Sequence, residues 1–241
     1  MAPRVEAVVF DLLYTLVHPG TYPGGGGRIG WLAHILGVES AALQVRWVEF
    51  EPVLESGRAR RSSDDLGPEL DWVRTVAADL GVDVSPGDLD RIDAGWDLTR
   101  RAALLNPPSD TMSTLLVLRE RQLRLGMLSN THALELRAWS QSPLAPLFDA
   151  TAFSHEIGAA KPDPATYAHV LDRLDVPAAS AAYVGDGSSN ELAGAKASGF
   201  GLVILAEQAP ARLAPDDLPR LRAQADTAVS SLSQVIDLIS G

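Results

Sequence analysis

Residues 7–15 read Ala7-Val8-Val9-Phe10-Asp11-Leu12-Leu13-Tyr14-Thr15, and this stretch decides the fold. Four apolar residues in a row are typical of a strand that is buried on both faces of a parallel sheet. The run delivers a single carboxylate, that of Asp11, to its carboxyl end. Open α/β sheets carry their ligands and reactive groups at that end of their strands. The stretch therefore predicts a buried first strand, a turn, and Asp11 as a candidate reactive group.

Three later segments place polar side chains at the ends of predicted strands. They are Leu128-Ser129-Asn130, Ala160-Lys161-Pro162-Asp163-Pro164 and Val184-Gly185-Asp186-Gly187-Ser188-Ser189-Asn190-Glu191. Each residue taken alone has an ordinary structural explanation as a cap, a turn or a solvated charge. In this order and spacing, however, the segments and Asp11 resemble the four motifs of the haloacid dehalogenase superfamily, whose members mostly transfer phosphoryl groups. The motifs cover residues 5–18 and 107–206.

The resemblance implies a role for each matching residue. Asp11 would be the catalytic nucleophile, and Lys161 would steady both that nucleophile and the phosphoryl group. Mg²⁺ would be the cofactor, held by the carboxylates of Asp11 and Asp186 and by the backbone carbonyl of Leu13. A cation and an ammonium are needed because the charge of an attacking carboxylate repels the charge of a phosphate.

The remaining matched positions would bind phosphate or support the site. The Ser129 hydroxyl and the Asn130 backbone N–H would hydrogen-bond a phosphoryl oxygen. Glu191 would bind the metal through a water or align Lys161. The supporting positions are Thr15, Gly187, Asn190 and Glu191.

Leu13 departs from the phosphatase pattern of the superfamily. Most of its phosphatases carry a second aspartate two residues after the first, where it protonates the leaving alkoxide. Such acid catalysis typically contributes about 10²–10⁴-fold. Members without it act on leaving groups that need no proton: halide, an anhydride phosphate, or a carbanion made through an imine. The imine route needs a lysine in the inserted domain, and residues 16–105 contain no lysine.

Two alternatives to a phosphatase stay open. A 2-haloacid dehalogenase would also lack the second aspartate and would use an arginine of the inserted domain, for which Arg46 beside Trp47 is the candidate. A degenerate member would bind a ligand or a partner without turnover. Substitutes for the missing acid are Tyr14, His18 and His132, although each also has a structural explanation.

Two regions with different periodicity define the predicted architecture. From Arg28 to Leu105 the apolar spacing is helical, with a further helix start at Ser85-Pro86. Beyond Ser109 short apolar strands (125–128, 150–153, 181–184, 202–205 and 227–229) alternate with helical segments near 132–141, 164–174, 189–198 and 231–239. This alternation predicts a Rossmann-like, mostly parallel α/β sheet. We expect a core domain of residues 1–17 plus 107–241 and an inserted all-helical cap domain of residues 18–106.

Composition limits the classes of partner. The chain has 241 residues, a net charge of −11 and no cysteine. Nucleic acid and anionic membranes require basic surface, so neither is an expected partner. We expect a small anionic substrate, with Arg28, Arg58, Arg60 and Arg61 of the cap as candidate contacts. A strand directly after the N-terminus leaves no room for a cleaved leader, so the predicted location is cytoplasmic. The expected oligomeric state is a monomer or a homodimer.

Overall fold

The computed structural model describes residues 5–22, 27–55 and 67–239. Its centre is a six-stranded sheet in the order β3-β2-β1-β4-β5-β6, in which every neighbouring pair is parallel. The strands are β1 (Ala7–Phe10), β2 (Arg124–Ser129), β3 (Ala150–Phe153), β4 (Ala181–Gly185), β5 (Leu202–Ala206) and β6 (Thr227–Val229). The predicted parallel α/β sheet is confirmed.

Helices cover the sheet, and the chain segment that connects β1 to β2 forms a separate helical layer. That layer consists of α1 (Gly27–Leu36), α2 (Ser40–Glu55), α3 (Pro68–Asp79) and α4 (Pro86–Leu105), and we call it the cap. The other helices are α5 (Ser109–Glu120), α6 (Ser154–Ile157), α7 (Pro164–Leu174), α8 (Glu191–Ala197), α9 (Gln208–Leu213), α10 (Leu218–Gln224) and α11 (Gln234–Leu238). The domain boundaries at residues 17 and 107 stay predictions.

Strand β1 lies in the middle of the sheet and is completely buried. Its side chains alternate between two apolar clusters: Val8 and Phe10 contact one, and Ala7 and Val9 contact the other. Burial on both faces explains why its sequence is apolar without interruption. Because Phe10 is in register with residues of both β2 and β4, the ends of these three strands meet at one edge of the sheet.

The cap has an apolar interior of its own, built around four buried tryptophans: Trp31, Trp47, Trp72 and Trp96. Helix α4 begins at Pro86, and the Ser85 hydroxyl caps it by accepting a hydrogen bond from the Asp88 N–H, 3.1 Å away. The predicted helix start at Ser85-Pro86 is therefore confirmed. None of the described helices is both long and apolar enough to cross a bilayer.

The helix predicted near 132–141 is wrong. The chain there forms two short 3₁₀ turns, Ala133–Leu136 and Trp139–Gln141. Pro143 has no backbone N–H and disfavours a helical Ser142, so the second of these turns ends at Gln141. The closing helix is also shorter than predicted, since α11 spans only Gln234–Leu238. Helices α9 and α10, between β5 and β6, were not predicted.

Candidate active site

Asp11 lies just beyond β1, at the edge where three strands end. Its backbone N–H donates to the carbonyl of Val184 on β4, with 2.9 Å between the two atoms. The chain then makes a tight turn in which Tyr14 adopts a left-handed conformation, with φ of 67°. The Tyr14 N–H donates to the Val17 carbonyl at 2.7 Å. This turn keeps Asp11, Leu13 and Tyr14 at the edge of the sheet where β1, β2 and β4 end.

Lys161 joins Asp11 and Glu191 in a buried three-residue ionic cluster. Its ammonium lies 2.6 Å from Asp11 Oδ1 and 2.5 Å from Glu191 Oε2. Burial opposes the lysine charge, but the two carboxylates outweigh it and raise the pKa of Lys161 far above its usual value. Lys161 is therefore a fixed cation directed at Asp11, because its side chain is almost fully buried and solvent screens its charge little.

Both carboxylate oxygens of Glu191 are already used within the protein. Oε2 accepts from Lys161 and from the Tyr183 hydroxyl at 2.8 Å, while Oε1 accepts from the Gly187 N–H at 2.9 Å. A Cβ at Gly185 would overlap Glu191 Oε1, which explains the glycine there. Of the two roles expected for Glu191, this geometry favours the alignment of Lys161.

The Lys161 backbone is held against the end of β2 by Asn130. The Asn130 side chain accepts from the Lys161 N–H at 2.7 Å and donates to the Lys161 carbonyl at 3.1 Å. No regular helix begins after Asn130, because Thr131 donates its backbone N–H to Ser154 Oγ and 3₁₀ turns follow. The Asn130 side chain therefore positions Lys161, a contribution that the sequence did not reveal.

Asp11, Asp186 and Glu191 form a buried carboxylate group whose ligand oxygens lie within 4.8 Å of one another. Burial raises the pKa of Asp11 to about 6, against the lowering effect of Lys161. Burial and the Asp11 charge likewise raise the pKa of Asp186. Asp11 Oδ2 has no hydrogen-bond partner among the described residues. Clustered oxygen ligands that are costly to ionise fit a hard divalent cation such as Mg²⁺.

Two buried hydroxyls near Asp11 also lack partners among the described residues, those of Thr15 and Ser129. Ser129 ends β2 and lines the same cavity as Asp11. An unsatisfied buried hydroxyl is rare in proteins and indicates a missing partner. The Ser129 hydroxyl is thus available to a substrate oxygen. Asn190, left-handed like Gly187, belongs to the turn that leads into Glu191 and helix α8.

A cavity of about 770 Å³ opens in front of this site, between the sheet edge and the cap. Asp11, Leu13, Ser129, Asn130 and Lys161 line it. This volume lies within the range typical of small-molecule sites, about 300–1,000 Å³. Asp186 is not among its lining residues.

The arginines proposed from sequence do not all reach this cavity. Arg28 lines it, but Arg46 does not: Arg46 is exposed on α2, where it pairs with Glu49. Arg58, Arg60 and Arg61 lie outside the described residues. Arg100, which was not predicted, lines the cavity and is only 7% exposed. The missed signal was its position on the apolar stripe of α4, one turn after Trp96.

Arg100 belongs to a group of six polar residues that line the cavity, which we call the polar wall. Its members are Tyr14, Tyr22, Arg28, Glu51, Arg100 and Glu135. Arg100 pairs with Glu135 at 2.6 Å, and Arg28 contacts Glu51 and lies 4.1 Å over the Trp47 ring. Burial opposes the charge on Glu135, but Arg100, His132 and Arg28 outweigh it and hold the pKa of Glu135 at about 2.

The three substitutes for the missing acid occupy different places. Tyr14 lines the cavity and interacts with Arg100. His132 lies 2.6 Å from Glu69 of the cap and also lines the cavity. His18 is outside the lining, and burial together with the nearby Arg212 lowers its pKa. None of these placements puts a general acid in the position of Leu13.

Comparisons with known proteins show which family the chain belongs to. The family model for haloacid dehalogenase-like hydrolases matches residues 28–199. The chain belongs to this family, and it is a hydrolase. It is 31% identical to a ribulose-1,5-bisphosphate 5-phosphatase of Halopiger xanaduensis, over 97% of this chain and 99% of the relative. It is also 27% identical to a glyceraldehyde 3-phosphate phosphatase of Methanocaldococcus jannaschii, over 58% of this chain and 59% of the relative.

Solved structures share the fold at lower identity. An L-2-haloacid dehalogenase of Xanthobacter autotrophicus superposes with a TM-score of 0.62 at 22% identity, over 98% of this chain and 99% of its own. A phosphatase of the same superfamily from Thermococcus onnurineus gives 0.58 at 21% identity, over 98% and 99%. Enzymes of both reaction types therefore have this architecture, and fold alone does not choose between them.

Proposed function

We propose that the chain is a Mg²⁺-dependent phosphatase that hydrolyses a small phosphorylated metabolite through an aspartyl-phosphate intermediate. The observation that carries the proposal is the buried carboxylate group, in which Asp186 lies beside Asp11 while Lys161 contacts the same Asp11. A metal-free dehalogenase has no use for the additional acidic ligand. The phosphatase names of the relatives support the same choice.

The metal site would use the Asp11 and Asp186 carboxylates and the Leu13 backbone carbonyl. When bound, Mg²⁺ supplies charge that offsets the repulsion between a carboxylate and a phosphate. Side chains of the protein would position the nucleophile and the phosphoryl group. Lys161 neutralises and orients Asp11, and the Ser129 hydroxyl donates to a phosphoryl oxygen.

The reaction would proceed in two steps. First, an Asp11 carboxylate oxygen bonds to phosphorus, and the bond to the leaving oxygen breaks, which gives that oxygen the electron pair. Water then attacks the phosphorus, releases inorganic phosphate and restores the Asp11 carboxylate. The covalent intermediate replaces one difficult displacement by two easier ones.

Leu13 limits which substrates react quickly. No carboxylic acid stands two residues after Asp11 to protonate a departing alkoxide. We infer that the best substrates have leaving groups stable without protonation, such as the carboxylate of an acyl phosphate. Alkyl phosphates would react more slowly, by up to the usual contribution of a general acid, about 10²–10⁴-fold.

The 2-haloacid dehalogenase is the second candidate, and Leu13 is the observation that favours it. Its weak point is the arginine: Arg46, proposed to receive the halide, is exposed and paired with Glu49 away from the cavity. The third candidate is a degenerate member that only binds a ligand. It conflicts with the joint retention of Asp11, Ser129, Lys161 and Asp186. Turnover measurements separate all three.

The test is hydrolysis of acetyl phosphate and p-nitrophenyl phosphate with and without Mg²⁺, with Asp11→Asn as the blank and halide release from chloro- and bromo-acids measured in parallel. We expect Mg²⁺-dependent acetyl phosphate turnover that is absent in the blank. Halide release would replace the proposal with dehalogenation. Tight phosphate binding without any turnover would favour the binding protein.

Two further proposals concern the setting of the enzyme. We propose a cytoplasmic location and a monomeric or homodimeric state. The four cap tryptophans, which could have supported a dimer, are buried within the cap itself. Light scattering of the purified protein would determine the oligomeric state.

A further inference from the structure

We propose that Tyr183, on strand β4, is a positioning residue for the pair formed by Lys161 and Asp11. Its hydroxyl group holds the Lys161 ammonium in the orientation that directs it at Asp11. This inference rests on the proposed function, since it assigns a role in the nucleophilic step of that reaction. Tyr183 is not among the residues that line the cavity, so it acts through Lys161 and does not touch the substrate.

The Lys161 ammonium has three N–H bonds, and three oxygens of the described residues accept them. These are Asp11 Oδ1 at 2.6 Å, Glu191 Oε2 at 2.5 Å and the Tyr183 hydroxyl at 3.3 Å. With all three N–H bonds occupied, Lys161 has none left to donate to a phosphoryl oxygen. Its charge therefore acts on the nucleophile, through Asp11 Oδ1, as long as Tyr183 accepts the third N–H.

The Tyr183 hydroxyl also fixes the second carboxylate that holds Lys161. It donates to Glu191 Oε2 at 2.8 Å, and the same oxygen accepts from Lys161. Burial, reinforced by the Glu191 charge, raises the pKa of Tyr183 well above its usual value, so the hydroxyl keeps the proton that it donates. Tyr183, Glu191 and Lys161 thus form a closed triangle of hydrogen bonds, in which the displacement of one group disturbs the other two.

The packing around the Tyr183 ring fixes the place of this hydroxyl. The side chain is completely buried, and the rings of Tyr167 and Phe200 pack against it in T-shaped geometry, with centroids 5.8 and 5.6 Å away. The Tyr167 hydroxyl donates to the Glu191 carbonyl at 2.9 Å, which anchors the Glu191 backbone as well. A Cβ at Gly185 would lie only 3.0 Å from the Tyr183 ring. The ring therefore has little room to move.

The hydroxyl of Tyr183 has no role in the apolar packing around it. Tyr183 belongs to the buried apolar cluster that also contains Val9 and Leu192. A phenylalanine would fill the same space without burying a polar group, and a buried hydroxyl costs free energy unless it is hydrogen-bonded. Its two partners here are the charged groups of Lys161 and Glu191, so the hydroxyl serves the ionic cluster.

The first experiment measures acetyl phosphate turnover and the binding of inorganic phosphate by Tyr183→Phe, both with Mg²⁺. We expect kcat to fall about tenfold or more, because small displacements of a reacting group cost up to about 10²-fold. KM, and the phosphate affinity measured by calorimetry, should stay unchanged because Tyr183 lies outside the cavity lining. An unchanged kcat would overturn the inference, and so would a change in phosphate affinity as large as the change in kcat.

Ser142→Ala is the matched control, because it also removes a buried hydroxyl that donates a hydrogen bond. Ser142 Oγ donates to the Leu104 carbonyl at 2.6 Å, and neither residue lines the cavity. The melting temperature of this variant should fall, as that of Tyr183→Phe should, while its kcat stays unchanged. Equal losses of kcat in the two variants would show that Tyr183 contributes only stability, which would overturn the inference.

The second experiment needs no turnover, because Lys161 and Lys196 are the only lysines of the chain. Protein labelled with ¹⁵N at the lysine side chains can give one ammonium signal for each of them by NMR, and Lys196→Arg assigns the two. In Tyr183→Phe we expect the Lys161 signal to shift and its protons to exchange faster with water. Lys196 pairs with Asp226 and is 39% exposed, so its signal is the internal reference.

A Lys161 signal with the same shift and exchange rate in both proteins would overturn the inference, because Tyr183 would then not hold the ammonium. This result does not depend on what the unmodified protein hydrolyses. Absence of acetyl phosphate turnover in the unmodified protein would refute the proposed function instead, so the two failures are distinguishable.

Discussion

Replacing Glu191 with glutamine should destabilise the protein strongly although it changes a single atom. Glu191 is fully buried, and its two oxygens accept from Lys161, Tyr183 and Gly187. In glutamine one oxygen becomes an NH₂ group, which would face either the Lys161 ammonium or the Gly187 N–H. Either orientation brings two donors together, and Lys161 keeps only Asp11 as its counter-charge.

The magnitude follows from the contacts that are lost. Removing one partner of a buried ion pair typically costs about 3–5 kcal/mol. Because Asp11 still neutralises part of the Lys161 charge, we expect the lower end, about 3 kcal/mol. For a chain of this size each kcal/mol shifts the melting temperature by about 2–4 °C. Glu191→Gln should therefore melt about 6–12 °C below the unmodified protein in a thermal unfolding scan by circular dichroism.

Glu207→Gln provides the matched control. Glu207 pairs with Arg222 at 2.7 Å, but the Arg222 side chain is 55% exposed, and such surface pairs contribute about 0–1 kcal/mol. Its melting temperature should fall by about 4 °C at most. A Glu191→Gln protein that melts with or above the Glu207→Gln protein would refute the assignment of Glu191 as the group that holds Lys161.

Three further predictions concern other parts of the site. Leu13→Asp should raise kcat/KM for alkyl phosphates by about 10²-fold or more while acetyl phosphate changes little, because it introduces the missing acid; an equal change for both substrates would contradict this. Asp186→Asn should abolish the increase in melting temperature that Mg²⁺ gives the unmodified protein, whereas Asp216→Asn, at an exposed position, should keep it. Glu135 has its pKa lowered from 4.5 to about 2, so its contribution to stability is complete above pH 4.5 and is lost as pH falls toward 2. The unmodified protein should thus lose about 1 kcal/mol more unfolding free energy than Glu135→Gln between pH ~6 and ~3.5, and parallel pH curves would disprove the charge on Glu135.

Strand β1 and the polar residues of the motifs could be predicted because their signals are local in sequence. Residues 7–10 are apolar without interruption because β1 is buried on both faces, and such a run is visible in one sequence. Asp11 directly follows such a run, whereas Lys161 lies beyond β3 and α6 and was predicted only from the order of the motifs. Their 2.6 Å contact joins residues 150 positions apart, and only the parallel sheet brings them together.

The polar wall could not be predicted, because it depends on how the cap packs. Arg100 and Glu135 are 35 positions apart in segments with no shared motif, and each is surrounded in sequence by residues of ordinary helical or turn character. Arg46 shows the reverse error: its position beside Trp47 suggested the site, but Trp47 faces the cap interior and Arg46 faces solvent. Which face of a helix meets a cavity is set by tertiary packing, not by neighbours in sequence.

The most direct test of the central claim is a search for the covalent intermediate. The protein would be mixed with acetyl phosphate and Mg²⁺, quenched in acid, digested and measured by mass spectrometry. The account predicts that the peptide containing Asp11 gains one phosphoryl group, only with Mg²⁺ and never in Asp11→Asn. Hydrolysis of acetyl phosphate without that modification, or a phosphoryl group on another residue, would contradict it.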